Sequence, residues 1–401
     1  MVGNDQAFRQ FAETQYQFGW WLRRQRDTAR RQPRVTAAQI ALAVIAQVFF
    51  GLRSLLRVDQ WLRTSLAVAW LRCAATGPRG SDTTLLKALG AWERARLRQA
   101  TYAVHLALRD QGWCRTTLST GKAVHLAIVD GTAMGGHRFS VLSFAGAVHH
   151  VVDVQPSRGR GHELGDSRRL LARAGQRLGR GFATHLLYDG LMAVRRDFVR
   201  AQHIWGLHLV VKTQEETLDV VQSCQAVWQG QRDEALRAVG VEVVRGVEAE
   251  HKVEYVVCAQ SGIRWDGLDE PLTVAWVRET PLKGQRAGQT EEFWVLTTDA
   301  TLRATELREV AHARWGIENL GFKATNAQVG SKLGYIRNPR VKETLLLLWS
   351  WGLALLGAWQ WWLSQQPAWR AWGVRKTKAL IGLVLTVTAL GGEVSGCGGS
   401  P

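Results

Sequence analysis

The sequence predicts an α/β protein: a mixed sheet with flanking helices, carrying a β-rich insertion and preceded by a basic helical region. Three observations predict it. Short β-branched or apolar runs bounded by Gly, Pro or polar residues start near Val124 and recur as far as Thr297. Helical stretches separate the later runs of the first group, which is the pattern of strand-helix-strand crossovers. Finally, composition changes at Ala123, before which the chain reads as helix from Met1 to Lys122.

In the helical region Val35 to Phe50 is apolar, Gly77-Pro78-Arg79-Gly80 breaks the pattern, and Ser81-Asp82 offers an N-cap for a helix over Thr83 to Ala103. Strands are expected at Val124–Asp130, His137–Phe144 and Val148–Val154, joined by short turns. A helix at Asp166–Leu178 leads to a strand at His185–Asp189, and a second at Arg195–Gln202 to a strand at Leu207–Lys212. After a helix at Thr217–Gln229, strands at Val241–Val247, Lys252–Ala259, Leu272–Val277 and Phe293–Thr297 form a second β-rich block that interrupts the first unit. A long helix resumes over Thr301–Ala327, with Leu302, Leu307, Val310, Ala311, Arg314, Ile317 and Glu318 on recurring faces. Leu345–Leu363 packs as another, and Gly391–Pro401 reads as a disordered Gly/Ser-rich tail. The organisation is therefore 1–122 helical and basic, 123–216 core, 217–298 β-rich insertion, 299–390 core completion and 391–401 tail. No internal repeat is visible.

With 46% hydrophobic residues, 401 residues suffice for a sizeable core. The net charge is +17, and 41 of the 51 basic residues are Arg. Guanidinium forks match phosphate oxygens in bidentate geometry, so a polyanion is the favoured partner, nucleic acid before an anionic membrane surface. Residues 1–122 hold 19 Lys and Arg against 7 Asp and Glu, which places +12 of the +17 there. The five scattered cysteines, with no C-x-x-C pair, speak against a disulfide framework or a zinc ribbon and fit a reducing cytosol. The polar start lacks a secretory signal. Leu345–Leu363, with only Ser350 and Gln360 clearly polar over 19 residues, is long enough for a bilayer crossing. Other apolar runs are interrupted, and a core helix is the expectation.

Three carboxylates suggest chemistry. Asp130 ends an apolar strand in AIVDGT and Asp189 ends another in LLYDGL, each followed by Gly at what would be the rim of a sheet. Asp-Gly is also an ordinary turn pair. Glu318 lies in RWGIEN, four residues after Arg314 and on the same helical face, directed toward the strand ends if that helix docks on the sheet. Such an i,i+4 pair is equally a weak surface ion pair.

These motifs, VDGT, LLYDG, and FWVLTTD leading into RWGIENLGF, resemble the DDE transposases of bacterial insertion sequences, with their ribonuclease-H-like core, over about 124–328. The closest likeness is to the branch with a β-rich insertion between the second Asp and the Glu. That branch has a Tyr, two residues, Arg, three residues, Glu, six residues, Lys signature; Arg314 and Glu318 match it, while Ala311 and Thr325 stand at the outer positions. His312 and Lys323 lie near those positions as substitutes. The resemblance implies a catalytic and metal-binding triad of Asp130, Asp189 and Glu318, holding two Mg²⁺ ions for which Mn²⁺ can substitute. It implies DNA contacts from Arg314, Trp315, Lys323 and His312, and from Trp294, for which packing is as good a reading as base stacking. It also implies double-stranded DNA partners (terminal inverted repeats and target), a homodimer on DNA, and a cytoplasmic, nucleoid-associated location. This chemistry needs no His/Cys cluster and none is apparent; His149 and His150 would point to opposite faces of a strand. Three functions compete: a transposase, a decayed DNA-binding relative without activity, and a membrane-associated protein using 345–363. A sugar hydrolase needs only two acids, and +17 has no evident use there.

Overall fold

A computed structural model describes residues 3–28, 34–71, 80–157, 159, 161–190, 193–214, 217–314 and 336–370. The chain divides into two compact units, the first of Met1–Cys114, Gly131–Leu170 and Glu318–Pro401, the second of Arg115–Asp130 and Leu171–Ile317.

The first unit is built on helices α1 (Gly3–Tyr16), α2 (Phe18–Arg23), α3 (Ala37–Phe50), α4 (Leu55–Trp61), α5 (Ser65–Leu71), α6 (Asp82–Gly90) and α7 (Arg94–Asp110). Local chemistry sets the starts: Thr36 and Gln39 form a reciprocal capping box on α3, and the Ser54 and Ser81 hydroxyls accept from Arg57 N and Thr84 N. The helix expected over 83–103 is two helices. The chain leaves α6 at Ala91 because Thr28 N donates to Ala91 O (2.9 Å) and Glu93 N to Arg26 O (2.9 Å), and Trp92 pairs with Asp27. These tertiary bonds outweigh the helical propensity of the stretch.

Through this unit runs α13 (Pro339–Gln365), the apolar helix expected at 345–363, packed on α3, α6 and α7. It is long and apolar enough to cross a membrane, yet 89% of its most apolar window is buried inside the protein. Gly352 lets Ile45 approach, and Trp349 Nε1 donates to Gln47 Oε1 at 3.0 Å, so its one indole polar atom is satisfied in the core. Near its start Glu343 pairs with Arg94 (3.3 Å) and with Arg98, whose Nε also donates to the fully buried Asp153 at 2.7 Å.

Nine strands among the described residues form one mixed sheet. They are β3 (Leu126–Met134), β4 (His137–Ala145), β5 (His150–Pro156), β6 (His185–Asp189), β7 (His208–Thr213), β8 (Glu242–Glu248), β9 (Val253–Ile263), β10 (Leu272–Pro281) and β11 (Glu291–Thr297), in the order β5-β4-β3-β6-β7-β11-β10-β9-β8. A two-residue turn at Gly135-Gly136, both at positive φ, links β3 to β4, and β4 pairs antiparallel with β5. β3, β6 and β7 are mutually parallel neighbours, and α8 (Glu163–Leu178) and α9 (Arg195–Arg200), the latter extended by a π-helical turn at Ala201–Trp205, supply the connections that parallel pairing requires. The β-rich block that interrupts the chain extends this same sheet, because β11 pairs antiparallel with β7. A small hairpin, β1 (Thr116–Thr117) with β2 (Ala123–Val124), precedes β3, and α10 (Asp219–Trp228), α11 (Asp233–Ala238) and α12 (Ala304–Ala313) belong to the second unit. The expected helix 301–327 is described only through α12; Trp315, Glu318, Lys323, Thr325 and the tail 391–401 lie outside the described residues.

Leu347 is fully buried in α13. Leu347→Ala is expected to destabilise the protein by about 2–5 kcal/mol, as a core truncation does, measured by denaturant unfolding of protein that remains in the supernatant after carbonate washing. A membrane-resident α13 would instead pellet.

Candidate active site

β3 and β6 lie parallel with Leu126 opposite His185 and Ile128 opposite Leu187. Carried on, the same offset brings Asp130 level with Asp189, on strands spaced about 4.8 Å apart. Both strands are apolar and buried up to these residues, as strands covered on both faces must be. The aspartates are the first charges to emerge. Asp130 remains largely buried, whereas the Asp189 side chain is 46% exposed.

The glycines that follow differ in purpose. A Cβ at Gly190 would sit 2.6 Å from Thr213 Oγ1 and 3.0 Å from its Cα, so the neighbouring strand requires glycine there; beside Gly131 nothing among the described residues lies within 4 Å. Gly190 N also donates to Asp189 Oδ1 at 2.9 Å, which orients that carboxylate.

Arg314, at the end of α12, joins the pair. Its Nη1 donates to Asp130 Oδ2 at 3.2 Å, and its Nη2 lies 4.0 Å from Asp189 Oδ1. Helix α12 is held in place at its start, where Arg303 N donates to Glu306 Oε2 (2.8 Å) and Thr120 of the small hairpin donates to Glu306. One turn on, Ser119 N donates to Glu309 Oε2 at 2.8 Å.

A fourth charged group was not anticipated from sequence. Lys212 pairs in register with Asp189 across β6 and β7, is 9% exposed, and has its ammonium 3.8 Å from the Phe293 ring centre. Its pKa is lowered to about 8, chiefly by burial and also by Arg314, while Glu279, Glu291 and Asp189 oppose the shift. Its signal in the sequence is the one that marked the aspartates: a charge ending a buried apolar strand, LHLVVK.

The remaining expected site residues divide. His312 Nε2 lies 2.7 Å from Glu279 Oε1, within a network where Arg308 also binds Glu279 and reaches Glu248 (2.7 Å). Burial raises the Glu279 pKa, but the hydrogen bond from His312 and the charges of His312 and Arg308 carry it below the usual range. Trp294 is 2% exposed, stacked 5.7 Å from Trp228 and 6.0 Å from Trp276. It is a core residue of the second unit, which favours the packing reading over base stacking. Trp315, Glu318 and Lys323 fall outside the described residues.

Two adjacent carboxylates supply hard oxygen donors of the type Mg²⁺ and Mn²⁺ take. Arg314 shows that the pair accepts a cation: its guanidinium lies against both acids. The donor set fits a divalent ion. The chain matches no protein-family model and no curated protein.

The lowered Lys212 pKa gives a pH test. Between about pH 8 and 10.5 the unfolded chain holds the Lys212 proton and the folded chain does not, so this group's contribution to stability rises with pH across that window. Below pH 8 its full cost, about 3 kcal/mol by the size of the shift, is present. Lys212→Met is expected to flatten this pH dependence, measured as the difference in unfolding free energy between wild type and variant at pH 7 and pH 10.

Proposed function

We propose that the chain is a DNA transposase of the DDE type, cleaving DNA ends and joining them to target DNA by metal-dependent phosphoryl transfer. The observation that carries this reading is the meeting of Asp130 and Asp189 at one level of adjacent parallel strands, with Arg314 at the end of α12 beside both, four residues before Glu318 in the sequence. The strand order supports it: three strands linked by short turns, then two parallel strands reached through helices, is the arrangement the resemblance implies. The extra strands β8–β11 lie between Asp189 and α12 in sequence, where that branch has its insertion.

In this reading Asp130, Asp189 and Glu318 hold Mg²⁺ or Mn²⁺. When bound, such ions stabilise charge on the phosphate and lower the pKa of the attacking water or 3′-hydroxyl. The chain's own residues do the rest. Gly190 N fixes the rotamer of Asp189. Arg314 balances the two acids and is placed to turn its fork to a phosphate when they bind metal. Affinity for DNA comes from elsewhere, from exposed Arg23, Arg24, Arg26, Arg34, Arg53, Arg57 and Arg63 in the first unit. Trp20, 39% exposed with the Arg24 guanidinium 4.3 Å from its ring centre, adds a stacking surface there. A homodimer on paired DNA ends and a nucleoid-associated location belong to the same proposal.

Asp130→Ala and Asp189→Ala are each expected to abolish Mg²⁺-dependent cleavage of duplexes carrying the DNA that flanks the gene. Binding to those duplexes by the full-length variants should stay near wild type and keep its steep salt dependence. Arg314→Lys keeps one charge but loses the fork, and should cut cleavage on the order of 100-fold with little loss of binding. Cleavage that survives either Asp variant removes the assignment.

A further inference from the structure

A second constellation lies in the first unit. His105 on α7, Cys114 just beyond that helix, and His150 at the start of β5 are 0%, 1% and 3% exposed. His105 Nδ1 is 3.0 Å from His150 Nε2 and 3.9 Å from Cys114 Sγ, and the three ligand atoms lie within 4.8 Å of one another. A point equidistant from all three is then no more than about 2.4 Å from each, close to the 2.0–2.3 Å of zinc–nitrogen and zinc–sulfur bonds.

The surroundings are built for it. His150 Nδ1 lies 3.0 Å from the Val148 carbonyl, which can only accept, so Nδ1 carries the proton and Nε2 presents its lone pair to the cluster. A histidine donating its outer N–H to a backbone carbonyl is the usual arrangement around a metal. Cys114 is fixed by the same segment that carries His150. A Cβ at Gly146 would come within 2.6–2.8 Å of Trp113 O and of Cys114 C and Cα, and Val148 N donates to Trp113 O at 3.2 Å. His105 is clamped by the Phe144 ring, 3.8 Å between centroids.

We propose that His105 Nδ1, Cys114 Sγ and His150 Nε2 form a zinc(II) site with three protein ligands, separate in its donor chemistry from the carboxylates of the proposed active site. Two imidazoles and a thiolate select a borderline-soft ion, and Mg²⁺ does not compete for them. On binding, the Cys114 S–H bond breaks, its electron pair forms the sulfur–zinc bond and one proton leaves to solvent. The His105 Nδ1 proton transfers to Nε2, so both imidazoles bind as neutral ligands. The site ties α7 and the following loop to β5.

The test uses the full-length chain stripped with a chelator, then titrated with Zn²⁺ or Co²⁺ alone. Expected are one ion per chain, a thiolate-to-cobalt charge-transfer band, and a rise in Tm with Zn²⁺ that Mg²⁺ does not reproduce. Cys114→Ser should lose the band, and His150→Gln should weaken binding at least tenfold. Cys224→Ser and Cys258→Ser, which change the other buried thiols, should leave both unchanged. A wild-type chain that gives no band and no shift in Tm overturns the site whatever the variants do, and so does a band that persists in Cys114→Ser.

Discussion

Two carboxylates placed level on adjacent parallel strands repel one another, and that repulsion constrains the second unit around them. Asp189 escapes part of it by exposure, whereas the largely buried Asp130 depends on the Arg314 hydrogen bond. Arg314 in turn depends on where α12 starts, and Glu306 and Glu309 tie that start to the small hairpin at Ser119-Thr120. Lys212 beside them holds its proton less firmly, chiefly because it is buried and further because Arg314 already supplies positive charge. Removal of a single charge here leaves its neighbours buried and unbalanced, which costs more than the pair contributed when intact.

Much of this was legible in the sequence because it is local. Apolar runs ending in a charge mark β3 and β6, and Ser81-Asp82 marks a helix start. What was not legible is set by partners distant in the chain. The break between α6 and α7 comes from backbone bonds to Arg26–Thr28, some 65 residues earlier. That β8–β11 extend the sheet depends on β11 finding β7, a pairing no run of residues announces. For Trp294 the sequence leaves packing and base stacking equal, and its place is decided by Trp228 and Trp276 stacking on it.

The His105, Cys114 and His150 cluster shows the same limit most clearly. His149-His150 was dismissed because neighbours on a strand face opposite ways, and that alternation is what sends His150 inward to meet His105 from α7. Sequence spacing shows no His/Cys cluster, yet in the structure three separate elements converge to form one. Metal-ligand spacing rules find sites whose ligands share a loop or a helix. They do not find ones assembled by tertiary packing.

The arginine surplus must be divided before it can be used as evidence for a polyanionic partner. Arg94, Arg98, Arg308 and Arg314 are engaged with acids inside their own units, where they offset buried Asp153, Glu343 and Glu279 or the Asp130–Asp189 pair. Guanidinium suits this work because its fork spans two acceptors at once. Those residues contribute little field outside the protein. Arg23, Arg24, Arg26, Arg34, Arg53, Arg57 and Arg63 are exposed instead, and even where one makes a surface pair, as Arg63 does with Asp59 at 3.2 Å, its charge still faces solvent, so they, more than the net charge of +17 itself, are the physical basis for the proposed phosphate-rich partner. The charge that would bind DNA and the charge that would organise its chemistry therefore come from one residue type, sorted by burial.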